Sequence, residues 1–97
     1  MKVSWTPVAQ RHREDIWLHI AKDDPYAAAQ MDDRFSDATH RLADYPDYGR
    51  IGSLPGTRET FPHRSYRLVY QVQAHRILIV ALIHVARQWP PVRMDHA

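Results

Sequence analysis

The sequence predicts an α+β domain in the order β-α-α-β-β-β, with an N-terminal helical hairpin packed on one face of a small antiparallel sheet. Three observations carry that prediction. Two Pro-led helix starts, Thr6-Pro7 and Asp24-Pro25, open two stretches of helical apolar spacing. After Tyr45 the period changes, and Tyr66 to Val72 alternates with period two. Arg76 to Val85 is then apolar on both faces, as a covered central strand requires.

The elements follow in order. Lys2 to Trp5 reads as a short strand with Val3 and Trp5 on one face. Thr6 is a good N-cap and Pro7 suits the first helical position, where its missing N–H costs nothing. Ala9, Arg13, Ile16, Trp17 and Ile20 recur at helical spacing up to Lys22. Asp24 and Pro25 repeat the start signal, and Ala28, Met31, Phe35, Ala38, Leu42 and Tyr45 form an apolar stripe that Pro46 ends. Pro46, Gly49, Gly52, Pro55 and Gly56 mark an irregular loop. Thr57 to Phe61 is expected to be a strand that Pro62 ends or confines to an edge. Ala74-His75 turns the chain between the last two strands. Trp5, Trp17 and the Met31/Phe35/Leu42 stripe are expected in the core.

With 97 residues there is room for one core. A single domain over residues 1–91 is expected, with 92–97 as a flexible C-terminal tail. The chain has no cysteine, which excludes disulfides, Cys-ligated metal and a thiol nucleophile. Its longest apolar run, Ile77 to Ile83, is far short of the ~20 residues that span a bilayer, so a cytoplasmic protein with no membrane partner is expected. The seven histidines form no compact ligand motif, and neither a metal nor a cofactor is expected.

Charge is divided along the chain. Residues 6–45 hold five Lys/Arg against eight Asp/Glu, whereas residues 46–97 hold seven Arg against three acids. Arg58, Arg67 and Arg87 stand out in the basic half. Arg67 lies opposite Tyr66, Leu68, Tyr70 and Val72 on its strand, so it points at the sheet face that the helices leave open. Arginines gathered there would form an anion-binding surface. The competing expectation is ordinary arginines paired with Glu59 or Asp47.

Five phrases occur in order: Trp5-Thr6-x-x-Ala9, Gly49-Arg50-x-Gly52, Gly56-Thr57-Arg58-Glu59, Tyr66-Arg67-Leu68-Val69-Tyr70 and His84-x-x-Arg87-x-Trp89-Pro90. The ordered set resembles the RelE/ParE superfamily of bacterial type II toxins. The resemblance implies a growth-arresting toxin held by a cognate antitoxin, with operator DNA met only through that antitoxin. RelE-like members cut mRNA on the ribosome. For that branch the resemblance implies Arg67 as the positive charge on the reacting phosphate and His84 as the nearest catalytic histidine. The loop from Asp47 to Gly56 lacks the acidic base that some members use. ParE-like members poison DNA gyrase by binding, and the Gly-Thr-Arg-Glu and His-x-x-Arg-x-Trp-Pro phrases resemble that branch more. Arg58, Arg67, Arg87 and Trp89 are then the expected target- or antitoxin-binding residues. Gyrase poisoning is the leading expectation, with the ribosome-dependent endoribonuclease as the alternative.

Overall fold

Both helix starts form as their sequences dictate. In a computed structural model that describes residues 1–91, β1 (Lys2–Trp5) leads into α1 (Pro7–Ala21), and α2 follows over Pro25–Asp44. The Thr6 Oγ1 accepts from the Ala9 N–H at 3.0 Å, and the Asp24 carboxylate accepts from the Ala27 N–H at 3.1 Å. Each cap satisfies a donor that the first helical turn leaves without an internal partner. The tail expected over 92–97 lies outside the described residues.

The sheet follows: β2 (Arg50–Ile51), β3 (Arg58–His63), β4 (Tyr66–Val72) and β5 (Arg76–His84), in the spatial order β1-β5-β4-β3-β2. Strands β3 to β5 are antiparallel neighbours, as expected, and β2 lies antiparallel to β3. Two features differ from the sequence reading. β1 joins β5 in parallel, Val3 opposite Ile77 and Trp5 opposite Ile79. The helical hairpin returns the chain to the end where β1 stops, and the three antiparallel strands β2, β3 and β4 then precede β5. The loop after α2 contains the two-residue β2, so a fourth strand follows the helices. β3 runs through Pro62 where β2 no longer flanks it, which is the edge placement expected of that proline, and its register shifts between Thr60 and His63. A proline lacks a ladder donor, and a register irregularity on the strand accommodates it.

The core lies between the helices and one sheet face. Ala9, Phe35 and Leu42 meet Tyr66, Leu68 and Tyr70 of β4 and Ile77, Ile79 and Leu82 of β5. Ile79 and Leu82 are three positions apart, a spacing that a regular strand would send to opposite faces. The pairing explains it: Val69 faces Ala81 and Tyr70 faces Ile79, so Val80 is an extra residue and the faces swap beyond it. Trp5 packs half-buried at the core margin, as expected. Trp17 and Tyr45, expected in the buried stripes, are 39% and 66% exposed. Trp17 flanks the stripe in which Ile16 packs on the core, and Tyr45 has left helical geometry as the C-cap of α2.

Gly49 marks a close approach of the loop to the sheet. A Cβ there would lie 2.7 Å from the Glu59 carbonyl oxygen and 2.7 Å from the Tyr70 hydroxyl. The buried Tyr70 hydroxyl accepts from the Gly49 N–H at 2.9 Å and donates to the Pro46 carbonyl at 2.8 Å. One side chain of β4 thus fixes the path by which α2 hands the chain to β2. No described helix is long and apolar enough to cross a membrane.

Candidate functional site

Register decides where the arginines go. Arg58 lies opposite Tyr70, on the helix side of the sheet, whereas Arg67 and Glu59 lie on the other face beside Ile83 and Val69. Arg58 donates to the Gly49 carbonyl at 2.7 Å and pairs with Asp47 at 3.7 Å. Arg67 is turned inward: its side chain is 17% exposed and its Nε lies 3.5 Å from the Glu59 carboxylate. The expectation that these arginines gather on one open face is therefore corrected. Arg58 and Arg67 sit on opposite faces, each beside a carboxylate, which is the paired alternative.

Glu59 is the centre of the outer face. Its side chain is 1% exposed, accepts from the Ser53 N–H at 3.1 Å, and has Arg50 at 3.5 Å on its other flank. Phe61 lies under both guanidiniums, 5.0 Å from Arg50 and 5.8 Å from Arg67. A buried carboxylate needs such partners, because unpaired burial of the charge is costly. Sequence reasoning named Glu59 only as a possible partner and did not weigh Arg50 or Phe61 as surface-forming residues.

His84 and Arg67 do not meet. His84 is paired with Tyr66, and their rings lie edge to face at 5.5 Å on the helix side, while Arg67 projects from the opposite face. The His84 Nδ1 accepts from the Ala86 N–H at 3.0 Å. His84 instead joins Arg87, His12, Asp15 and His19 around a cavity of about 330 Å³ between α1 and the end of β5. Among the described residues no cluster of His, Asp or Glu has the geometry to hold a metal ion.

Beyond Trp5 the strand β1 stops, and among the described residues no strand pairs with the outer edge of β5 there. His12 of α1 fills part of this gap, its Nδ1 accepting from the Leu82 N–H at 3.2 Å. Burial, and then the nearby Arg87 and Arg11 charges, push the His12 pKa below the ordinary 6.5, with Asp15 opposing them. The folded state therefore holds fewer protons on His12 than the unfolded chain does. Stability should fall as pH drops below about 6.5. Thermal melts from pH 7.5 to 5 should show this decline, and His12→Asn, which keeps an acceptor but does not titrate, should flatten it.

The segment after β5 turns back along the edge of the sheet. Trp89 and Pro91 join Arg87, Val8, Ala81 and Ile83 around a cavity of about 640 Å³. Trp89 is half-buried, and its indole N–H is covered without a hydrogen-bond partner among the described residues. Arg87 is exposed and has no carboxylate within 4 Å among the described residues. Of the expected binding residues, only Arg87 and Trp89 share a surface.

A helical hairpin on a five-stranded mixed sheet, with these motifs on β3, β4 and the end of β5, defines a RelE/ParE superfamily toxin fold. The family described as ParE toxin of the type II toxin-antitoxin system parDE matches residues 3–89, and the chain belongs to it. A relative from Sinorhizobium fredii (strain NBRC 101917 / NGR234), "Putative toxin Y4kP", is 36% identical over 92 residues, covering 94% of this chain and 95% of the relative. Two solved structures share the fold. One, titled "Chromosomal ParDE TA system from P. aeruginosa", has a TM-score of 0.78 at 21% identity, over 88% of this chain and 96% of that one. The other, a YoeB/ParE toxin from Agrobacterium tumefaciens, has a TM-score of 0.62 at 20% identity, over 87% and 98%.

Proposed function

We propose that this ParE-family toxin arrests growth by binding and poisoning DNA gyrase, and that a cognate antitoxin neutralises it. The observation that carries this reading is the separation of Arg67 from His84. Of the residues expected to act in a ribonuclease, Arg67 would hold the phosphate and His84 would move the proton, yet these two project from opposite sheet faces. The cation that does share a cavity with His84 is Arg87, read here as a binding residue. Arg67 is also engaged by the buried Glu59. What remains accessible is a binding surface: Arg87 beside the cavity lined by Trp89, Ile83 and Val8. An antitoxin segment bearing apolar residues and a carboxylate fits that surface.

The test runs purified toxin in parallel through a gyrase supercoiling assay and a translation extract with mRNA cleavage read by primer extension. Supercoiling should be inhibited, the message should remain intact, and equimolar antitoxin should restore supercoiling. Arg87→Glu should weaken antitoxin protection while leaving the melting temperature nearly unchanged, because the side chain is exposed and has no carboxylate partner among the described residues. Cleavage of ribosome-bound mRNA with supercoiling unaffected would overturn the reading in favour of the endoribonuclease.

A further inference from the structure

The edge of β3 beside α2 carries a second surface with different chemistry. β2 spans only two residues, so Phe61 lies beyond its end, and α2 overhangs the gap. Arg34, Asp37 and Arg41, one helical face of α2, line a cavity of about 260 Å³ with Tyr48 and Phe61. Both residues are exposed, Tyr48 at 55% and Phe61 at 40%, but the Phe61 ring lies on the outer sheet face under Arg50 and Arg67, which leaves Tyr48 as the ring of the cleft. Both are also held against guanidiniums. Arg41 stacks 5.1 Å over Tyr48 and donates to its hydroxyl at 3.4 Å, while Arg50 stacks 5.0 Å over Phe61. Among the described residues neither Arg34 nor Arg41 has a carboxylate within 4 Å.

We propose that this α2–β3 cleft binds single-stranded DNA, with one base inserted against Tyr48 and the flanking phosphates on Arg34 and Arg41. The ring positions argue for bases, since every base offers a face to stack and an arginine-backed aromatic is preorganised to receive it. The unpaired arginines argue for phosphate. The cavity admits a single ring system rather than a duplex. Asp37 would repel a phosphate or an acidic peptide placed against it. It can instead accept from the exocyclic amine of cytosine or adenine, as carboxylates do in base readout. The choice of DNA over RNA rests on the gyrase reading, because gyrase acts on DNA.

Fluorescence anisotropy with a labelled ten-residue oligodeoxycytidylate tests the proposal without gyrase present. Binding should weaken with salt, and Arg34→Ala and Arg41→Ala should each flatten the log–log salt slope by about 0.7. Tyr48→Ala should weaken binding about 5–100-fold without changing the slope. Arg11→Ala, an exposed arginine of α1 outside this cavity, should change neither. Oligodeoxythymidylate should bind more weakly than oligodeoxycytidylate in the wild type, and Asp37→Ala should erase the difference. Circular dichroism confirms that each variant is folded. Absence of binding at low salt, equal loss in Arg11→Ala, or a tenfold preference for oligoribocytidylate would overturn the proposal. Failure here with supercoiling still inhibited removes this inference alone, whereas binding here without gyrase inhibition removes the gyrase reading alone.

Discussion

Glu59→Ala is expected to destabilise the protein by about 3–5 kcal/mol, the usual cost of removing one partner from a buried ion pair. Two groups lose their partner together. Arg67, only 17% exposed, keeps its charge on the sheet without a carboxylate, and the Ser53 N–H loses its acceptor. Arg50 adds little, since its side chain is 65% exposed and water already screens it. Against a total stability of roughly 5–15 kcal/mol for a domain of this size, such a loss is large. Urea unfolding followed by circular dichroism measures it. Glu59→Gln should cost less, because the amide oxygen can still accept from Ser53. The double variant Glu59→Leu with Arg67→Met should recover much of the loss, because no unpaired charge then remains buried. An additive double variant would show that the two side chains do not interact.

Tyr70→Ala is expected to cost about 3–5 kcal/mol through the cavity left by a fully buried aromatic ring. Tyr70→Phe separates packing from hydrogen bonding. The ring stays, but the buried Gly49 N–H and the Pro46 carbonyl lose their partner, which costs about 1–3 kcal/mol. The same substitution should loosen the loop from Pro46 to Gly49. Amide hydrogen exchange in that loop should therefore rise more in Tyr70→Phe than global stability requires, because the hydroxyl ties the loop directly. Unchanged exchange at Gly49 would show that the close approach at that glycine, not the hydroxyl, holds the loop.

These two residues lie at the boundary of what was legible in the sequence. The period-two pattern of Tyr66 to Val72 placed Tyr70 on the core side and Arg67 on the other, and both positions hold. The same pattern says nothing of what meets Arg67. That is settled by the register of β3 on β4, which sets Glu59 beside Val69 and Arg58 beside Tyr70. A shift of one residue would exchange the faces of Arg58 and Glu59 and unmake both ion pairs. The cleft of Arg34, Arg41, Tyr48 and Phe61 escaped the sequence reading for a related reason. Arg34 and Arg41 are seven apart on one helix, a visible spacing, but Tyr48 and Phe61 reach them only through the loop and the exposed β3 edge.

What the sequence alone determined is local. Thr6-Pro7 and Asp24-Pro25 start the helices because each cap bonds a backbone N–H three residues on, within the same turn. The apolar stripe of α2 and the alternation of β4 name most of the core for the same reason: burial follows the period of the element itself. What only the tertiary structure decided depends on residues far apart in the chain. The parallel docking of β1 on β5 joins Val3 to Ile77, and the extra residue at Val80 sends Leu82 to the core. The strand register then keeps Arg67 and His84 on opposite faces. A side chain's neighbours across a sheet are set by pairing and bulges, which short-range sequence patterns do not encode.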